Sequence, residues 1–264
     1  MVKILEVKNL NYQMFKNINL SFECNTIYSI VGPNNCGKTL LFKLLTGLIN
    51  TENYITCYNI TLSDFNKNEY IKNIGVVECV NKKSFLFKNV IDELVFPLYN
   101  LNYSKRVSLN RINKMLELFK LENIIKKNIN DLTLYEKQKL LIIIALLHKP
   151  KVLLIDSALN IFGRKECHEI MNVLRKLTID EDLSIINFTS NLNESLDSDY
   201  LLLLNNYQIL KVIKKSDLIN NDKLFYENNL EIPFIIDLNT KLNLYNLVNN
   251  TYNDVKDLVN EIWQ

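Results

Sequence analysis

The chain has 264 residues, of which 48% are hydrophobic, and this size suits one large α/β domain or a domain with an appendage. The net charge of +2 gives no indication of a nucleic-acid partner, and five cysteines without a C-x-x-C pair predict neither a disulfide framework nor a zinc site. No apolar run reaches the roughly 18 residues of a membrane-spanning helix and no signal peptide is recognisable, so we expect a cytoplasmic protein.

The N-terminal region alternates apolar and polar residues in two runs, 4–12 and 18–22, which predicts an antiparallel pair of strands with one buried face. Further strands are predicted at 27–31, 74–77, 152–155, 184–188 and 200–204, and helices at 40–49, 109–119, 136–147 and 165–177. Strands that alternate with helices favour a parallel sheet covered on both faces. Residues from about 100 to 147 are almost wholly helical in pattern and are predicted to form a subdomain.

A phosphate-binding loop is predicted between the strand at 27–31 and the helix at 40–49. The sequence there matches G-x-x-x-x-G-K-[ST] through Gly32, Pro33, Asn34, Asn35, Cys36, Gly37, Lys38 and Thr39. Backbone N–H groups of this loop and of the following helix, which is predicted to begin at Leu40, would cradle phosphates. Lys38 would reach the terminal phosphates and the Thr39 hydroxyl would hold Mg²⁺.

A second signal for the same site is Asp156, which ends the apolar strand predicted at 152–155. In proteins with a phosphate-binding loop, such an aspartate steadies the Mg²⁺ shell, here through water. Apolar strands often end in aspartate, so the signal gains weight only in combination with the loop.

Together these residues resemble the ATPase subunits of ABC transporters, and more narrowly those of energy-coupling factor (ECF) importers of vitamins and metal ions. Tyr12 stands where that family places the aromatic that stacks on adenine, although a strand tyrosine that only packs is the alternative. Residues 74–77 look like the strand that enters the Q-loop, and 89–96 look like the segment that this importer group uses near its membrane partner.

The signature motif of the family, LSGGQKQR, corresponds here to LTLYEKQK, whose first five residues are Leu132, Thr133, Leu134, Tyr135 and Glu136. Residues 230–234 and 254–262 resemble the C-terminal extension of ECF ATPases. The resemblance therefore implies an α/β P-loop NTPase of the ABC ATPase type, with an N-terminal antiparallel β-subdomain, the helical subdomain at about 100–147 and a small C-terminal extension. It divides the chain into a nucleotide-binding domain at 1–214 and the extension at 215–264.

Several positions depart from the family pattern without removing nucleotide binding. Asn35 replaces a glycine, and asparagine is the non-glycine residue that best adopts a positive φ, so we expect the loop to survive. The Q-loop glutamine, which helps to coordinate Mg²⁺, falls on Cys79, with Glu78 beside it as an alternative ligand. Leu134 and Tyr135 replace two glycines and would crowd the approach of the other subunit's γ-phosphate, while Thr133 keeps the hydroxyl.

The groups that carry out hydrolysis in the family have no counterpart here. An alignment that omits three residues matches 157–160 to the family's Ser-Ala-Leu-Asp, and the alignment without that gap places Ser157 at the catalytic glutamate; either one removes the glutamate. Ser190 stands at the switch histidine. Loss of such groups typically lowers the rate by roughly 10²- to 10⁴-fold, so we expect little hydrolysis at this chain's own phosphate loop.

The resemblance implies a subunit that binds ATP and Mg²⁺ and pairs, as a homo- or heterodimer, with a second ATPase able to hydrolyse ATP. It also implies a transmembrane coupling component and a substrate-binding membrane component, which would place the chain on the cytoplasmic face of the cell membrane. One alternative is a nucleotide-binding regulatory or scaffold protein that does not power transport. Another is an active ATPase that uses residues such as Glu78.

Overall fold

The computed structural model describes residues 2–51, 54–245, 247–248, 252 and 255–262, which form two sheets flanked by helices. The strands are β1 Lys3–Tyr12, β2 Phe15–Glu23, β3 Ile27–Val31, β4 Ile55–Cys57, β5 Ile60–Thr61, β6 Ile74–Glu78, β7 Val152–Asp156, β8 Ser184–Thr189, β9 Tyr200–Asn205 and β10 Gln208–Lys214. The helices are α1 Lys38–Leu45, α2 Lys67–Lys72, α3 Val90–Asn100, α4 Lys105–Leu118, α5 Leu134–Leu147, α6 Arg164–Asp180, α7 Leu192–Ser195, α8 Asp222–Glu227, α9 Phe234–Leu244 and α10 Val255–Ile262.

The smaller sheet is antiparallel, with strand order β2-β1-β4-β5. It contains the predicted N-terminal pair, and its alternating residues bury one face, as at Leu5 and Val7. Strands β4 and β5 were not predicted, because runs of three and two residues are too short to show an alternating pattern.

The larger sheet has the order β10-β9-β3-β8-β7-β6, and all neighbouring strands are parallel except β10, which pairs antiparallel with β9. Every residue of β3, β7 and β8 is buried, as is typical of strands covered on both faces. The predicted α/β class with a parallel sheet is therefore confirmed, and the antiparallel edge strand β10 is an addition to it.

The helix after the phosphate-binding loop is displaced from its predicted bounds of 40–49. It begins at Lys38 and ends at Leu45, because Gly47 takes a left-handed φ of 72° and its N–H donates to Leu44 O at 3.2 Å. Helix α3 was not predicted as a helix, and it contains Pro97. Helices α3, α4 and α5 share one apolar core, whose members include Leu94 and Met115.

Helices α8 to α10 cover the end of the larger sheet, where Phe225 and Ile236 share a core with Val31, Leu201 and Leu203. Asp254, at the start of the second segment that resembles the ECF extension, lies outside the described residues. The domain boundary at 214/215 and the limits of the helical subdomain stay predictions. Within the described part of the chain, no helix is long and apolar enough to cross a membrane.

Candidate nucleotide-binding site

The carboxyl ends of four parallel strands meet at one edge of the larger sheet, in the order β3, β8, β7, β6. Val31 pairs with Thr189, Asp156 with Phe188, and Glu78 with Asp156. The loop after β3, Ser190 after β8, Ser157 after β7 and Cys79 after β6 therefore follow one another along this edge. In open α/β sheets this edge is where ligands bind.

The phosphate-binding loop needs its glycines. A Cβ atom on Gly32 would lie 2.0 Å from the backbone oxygen of Leu204, and Gly37 has a φ of 109° at the start of α1. Asn35 has a φ of 61°, which is the left-handed conformation expected of an asparagine that replaces glycine. The backbone of the loop is thus compatible with its altered sequence.

Lys38 has its side chain inside the loop, where it bonds to the loop backbone. Its side chain is 8% exposed, and its ammonium group donates to Gly32 O at 2.7 Å and to Pro33 O at 2.8 Å. Thr39 is exposed in the first turn of α1, while Leu40 is half-buried and Asn34 is exposed beside the loop. An ammonium group held by neutral carbonyls can exchange them for phosphate oxygens with a gain in charge pairing, so these residues fit a bound phosphate chain.

Tyr12 lies at the end of β1, half-buried, opposite Phe15 in the antiparallel register. The Phe15 ring approaches the loop, since a Cβ atom on Gly37 would lie 3.1 Å from Phe15 Cζ. The turn that carries Tyr12 is therefore adjacent to the loop, as a residue that stacks on adenine would require.

The chain turns sharply after Asp156, which is 8% exposed. Ser157 has a φ of 54°, its N–H donates to Phe188 O at 3.0 Å, and its hydroxyl donates to Asp156 Oδ1 at 3.2 Å. The next two residues, Ala158 and Leu159, are fully buried. Asp156 thus lies at the sheet edge as a nearly buried carboxyl group, and the residue after it is a serine within a tight turn.

Ser190 follows β8 and is half-buried. The neighbouring backbone is ordered by side chains, because Thr189 Oγ1 accepts from Asn191 N at 3.0 Å and Asn191 Oδ1 caps α7 by accepting from Asn193 N at 3.0 Å. A serine hydroxyl is neutral and short, so it does not reproduce the reach of an imidazole.

Behind this edge lies a buried carboxyl group, Glu194 of α7, that the sequence analysis missed. Glu194 is 4% exposed, and burial raises its pKa to about 7 despite hydrogen bonds led by that from the Thr189 side chain. The Asn160 amide nitrogen, in the orientation that satisfies both groups, donates to Glu194 Oε2 at 3.1 Å. Glu194 thereby connects the segment after β7 with the segment after β8.

Gln138 of α5 is a second residue that was not predicted to have a role, although it belongs to the segment LTLYEKQK that corresponds to the signature motif. It is fully buried, its Oε1 accepts from Val80 N at 2.8 Å, and its Nε2 donates to Glu78 O at 3.1 Å. These bonds fix the backbone on both sides of Cys79, whose side chain is exposed. The signature helix is therefore tied directly to the Q-loop position.

Replacement of Gln138 by alanine is expected to destabilise the fold by about 1–3 kcal/mol, because the Val80 N–H and the Glu78 carbonyl lose their partner. The measurement is urea unfolding together with hydrogen exchange at the Val80 amide, which should quicken. Lys139→Ala, at the next position of α5, is the control for an alanine substitution in this helix, since the Lys139 side chain makes neither of these two bonds. Unchanged exchange at Val80 in the Gln138→Ala variant would contradict the assignment.

The signature residues form the start of α5, where Thr133 and Glu136 make a reciprocal cap. Glu136 Oε2 accepts from Thr133 N at 2.8 Å, and this bond is the main reason that the pKa of Glu136 is lowered. Leu132 is buried, whereas Leu134 and Tyr135 are 54% and 53% exposed. Among the described hydrogen bonds, none joins these five residues to the phosphate-binding loop.

Comparison with known proteins identifies the class of protein that this fold defines. The ABC transporter family model matches residues 15–160, which is more than half of the chain. The chain therefore belongs to the ABC transporter family.

The predicted likeness to ECF ATPases is confirmed. The chain is 29% identical to energy-coupling factor transporter ATP-binding protein EcfA1 of Oenococcus oeni, over 100% of this chain and 98% of that protein. It is 24% identical to EcfA1 of Mesomycoplasma hyopneumoniae strain J, with the same two coverages. Among solved structures, cbiO1 from Clostridium perfringens, part of the ABC transporter complex cbiONQ, matches with a TM-score of 0.77 at 22% identity, over 89% of this chain and 98% of that chain.

Proposed function

We propose that the chain is the ATP-binding subunit of an ECF-type importer of vitamins or metal ions, and that it hydrolyses ATP poorly at its own site. The observation that carries this proposal is that the phosphate-binding loop and the two altered positions, Ser157 and Ser190, lie at the same edge of the larger sheet. An intact phosphate-binding loop with a buried Lys38 lies beside Ser157 and Ser190, where hydrolysing relatives need a carboxylate and an imidazole. This combination supports nucleotide binding with little hydrolysis at this site.

The residues that would hold MgATP are those already placed at the edge. Tyr12 would stack on adenine, backbone N–H groups of the loop and Lys38 would bind phosphates, and Thr39 would bind Mg²⁺, with Asp156 reaching it through water. Cys79 occupies the Q-loop position. Bound MgATP supplies negative charge and a transferable phosphoryl group, and the chain's own contribution is to bind and orient it.

The way in which the family uses its two motifs supports pairing of this chain with a second ATPase. In the family each ATP lies between the phosphate loop of one subunit and the signature of the other. Leu134 and Tyr135 project from the start of α5, so they support a role for this chain as an ATP-dependent clamp whose signature contributes little to hydrolysis. ATP in the interface adds contacts that favour the closed dimer whether or not it is cleaved.

Exposed aromatic side chains beside a lysine-lined cavity support contact with a membrane partner. The cavity has a volume of about 300 Å³ and lies between the Q-loop segment and the helical region, and its lining combines Phe85, Phe87 and Ile129 with two asparagines and with Lys82, Lys88 and Lys137. The rings of Phe87 and Phe96 lie 5.3 Å apart, and Tyr99 on the same helix as Phe96 is 74% exposed. We propose that the transmembrane coupling component docks here, with a separate membrane component selecting the substrate.

Replacement of Lys38 by alanine is expected to weaken MgATP binding roughly 10- to 200-fold, because a hydrogen bond to a charged group contributes about 1.5–3 kcal/mol. The measurement is calorimetric titration of the purified chain. Lys43→Ala is the matched control, since Lys43 is an exposed lysine on the same helix. Equal affinities for the Lys38 variant and the parent would contradict nucleotide binding at this loop.

Mixing the chain with the ATPase that co-purifies with it distinguishes an importer subunit from a scaffold. The proposal predicts that the mixture turns over ATP faster than either component alone. Unchanged turnover, with intact MgATP binding by this chain, would favour a nucleotide-binding scaffold that does not power transport.

A further inference from the structure

The turn between β9 and β10 has an unusual residue at its tip. Asn206 and Tyr207 are its two central residues, with φ values of 45° and 60°, which is the pattern of a type I′ turn. The second position of such a turn is normally glycine, because a positive φ is unfavourable for a residue that has a Cβ atom. A tyrosine at this position therefore calls for a contact that offsets the unfavourable backbone conformation.

Tyr207 makes that contact with the phosphate-binding loop. A Cβ atom on Gly37 would lie 2.7 Å from Tyr207 Cδ1 and 3.1 Å from Cε1, so the ring is packed directly against Gly37. The Tyr207 N–H donates to Cys36 O at 3.0 Å. Its ring also meets Phe15 edge to face, with centroids 5.3 Å apart and planes at 78°.

Gly37 thus packs against two aromatic rings that contact each other, and Phe15 is opposite Tyr12 in the β1–β2 pair. Gly37 is the N-cap of α1, so its φ of 109° sets the direction of the first helical N–H groups and of Lys38. A change at Tyr207 would therefore act on this glycine and on the loop.

We propose that Tyr207 is a positioning residue that holds the phosphate-binding loop in its nucleotide-binding conformation. This inference rests on the proposed nucleotide binding. The ring and the backbone N–H of Tyr207 act together, one against Gly37 and the other on the Cys36 carbonyl.

The chain contains a matched control for the backbone conformation alone. Tyr58 lies in the β4–β5 turn with a φ of 47° and is 50% exposed, with its ring near the Lys151 ammonium group. Tyr58→Gly also removes a tyrosine with a positive φ, but from the β4–β5 turn and not from the turn that packs against the phosphate-binding loop.

The test compares Tyr207→Gly, Tyr207→Asn and Tyr207→Phe with Tyr58→Gly and the parent chain. Glycine and asparagine both suit the turn but lack the ring, so they are expected to leave the melting temperature unchanged or higher while weakening MgATP binding about 3- to 10-fold. Phenylalanine is expected to retain the affinity of the parent. Tyr58→Gly should leave the affinity unchanged.

A second readout does not depend on nucleotide. Cys36 is a residue of the loop and is only 3% exposed. Without ATP, its alkylation, followed at the Cys36 peptide by mass spectrometry, should therefore quicken in the glycine and asparagine variants only. Equal alkylation rates and affinities in those variants and the parent would overturn the inference. A parent that does not bind MgATP would overturn the proposed function instead, and the alkylation rates would then decide the role of Tyr207.

Discussion

Insertion of Glu-Pro-Thr between Asp156 and Ser157, combined with Ser190→His, is expected to raise the ATP turnover of this chain's phosphate loop by about 10²- to 10⁴-fold. The insertion restores the length at which the family carries its glutamate. Insertion suits the structure better than substitution at Ser157, because a φ of 54° at that residue disfavours a glutamate. The measurement is steady-state phosphate release at saturating MgATP in complex with the partner ATPase.

The matched control is a Gln-Pro-Thr insertion with the same Ser190→His change, which has the restored length and histidine but no carboxylate. It is expected to stay near the parent rate. A gain as large in the control would attribute the effect to the loop length or the histidine and not to the carboxylate. No gain in either variant, with MgATP still bound, would contradict the claim that missing groups limit hydrolysis. High turnover by the parent would instead favour an active ATPase that uses other residues such as Glu78.

Glu194→Gln is expected to change how stability depends on pH. The pKa of Glu194 is raised from 4.5 to about 7 by burial, so the folded state holds this proton more tightly than the unfolded state does. The tighter proton binding stabilises the folded state by about 3 kcal/mol. This contribution is fully present below pH 4.5 and is lost as the pH rises through about 7. The glutamine variant lacks this loss, so the free energy of unfolding of the variant minus that of the parent should rise by about 3 kcal/mol between pH 4.5 and 8.

Urea unfolding at a series of pH values measures this difference. Glu117→Gln, at an exposed glutamate of α4, is the control for removal of a negative charge as such. A difference between Glu194→Gln and its parent that stays constant from pH 4.5 to 8 would show that Glu194 does not titrate as its burial implies.

Long strands and helices could be predicted from the sequence because the spacing of their apolar residues shows which side chains are buried. The strands of the larger sheet alternate with amphipathic helices. The loop motif indicated where one strand ends and that a helix follows, although this helix begins and ends earlier than predicted. Residues matched to the motif came together at the sheet edge, since parallel strands place their carboxyl ends side by side. Asn35 shows how a local rule, its tolerance of positive φ, was enough to judge a departure from the pattern.

Other features depend on contacts between distant segments and could not be predicted in this way. Strands β4 and β5 exist because β4 pairs with β1, which begins 52 residues earlier, and neither has a pattern of its own. Glu194 looks like an ordinary helical glutamate until burial beside Thr189 makes its pKa unusual. Tyr207 gives no signal in the sequence, because its role comes from a turn conformation and a contact with Gly37.

The central claim is that this chain works as one ATPase of a membrane-bound import complex. The most direct test is affinity purification of the tagged chain from gently solubilised native membranes, with mass spectrometry of the proteins that accompany it. The account predicts a second ABC ATPase and a polytopic membrane protein in the same complex, and these would name the partners. Recovery of the chain with neither, while it still binds MgATP, would contradict the importer function and favour a nucleotide-binding scaffold.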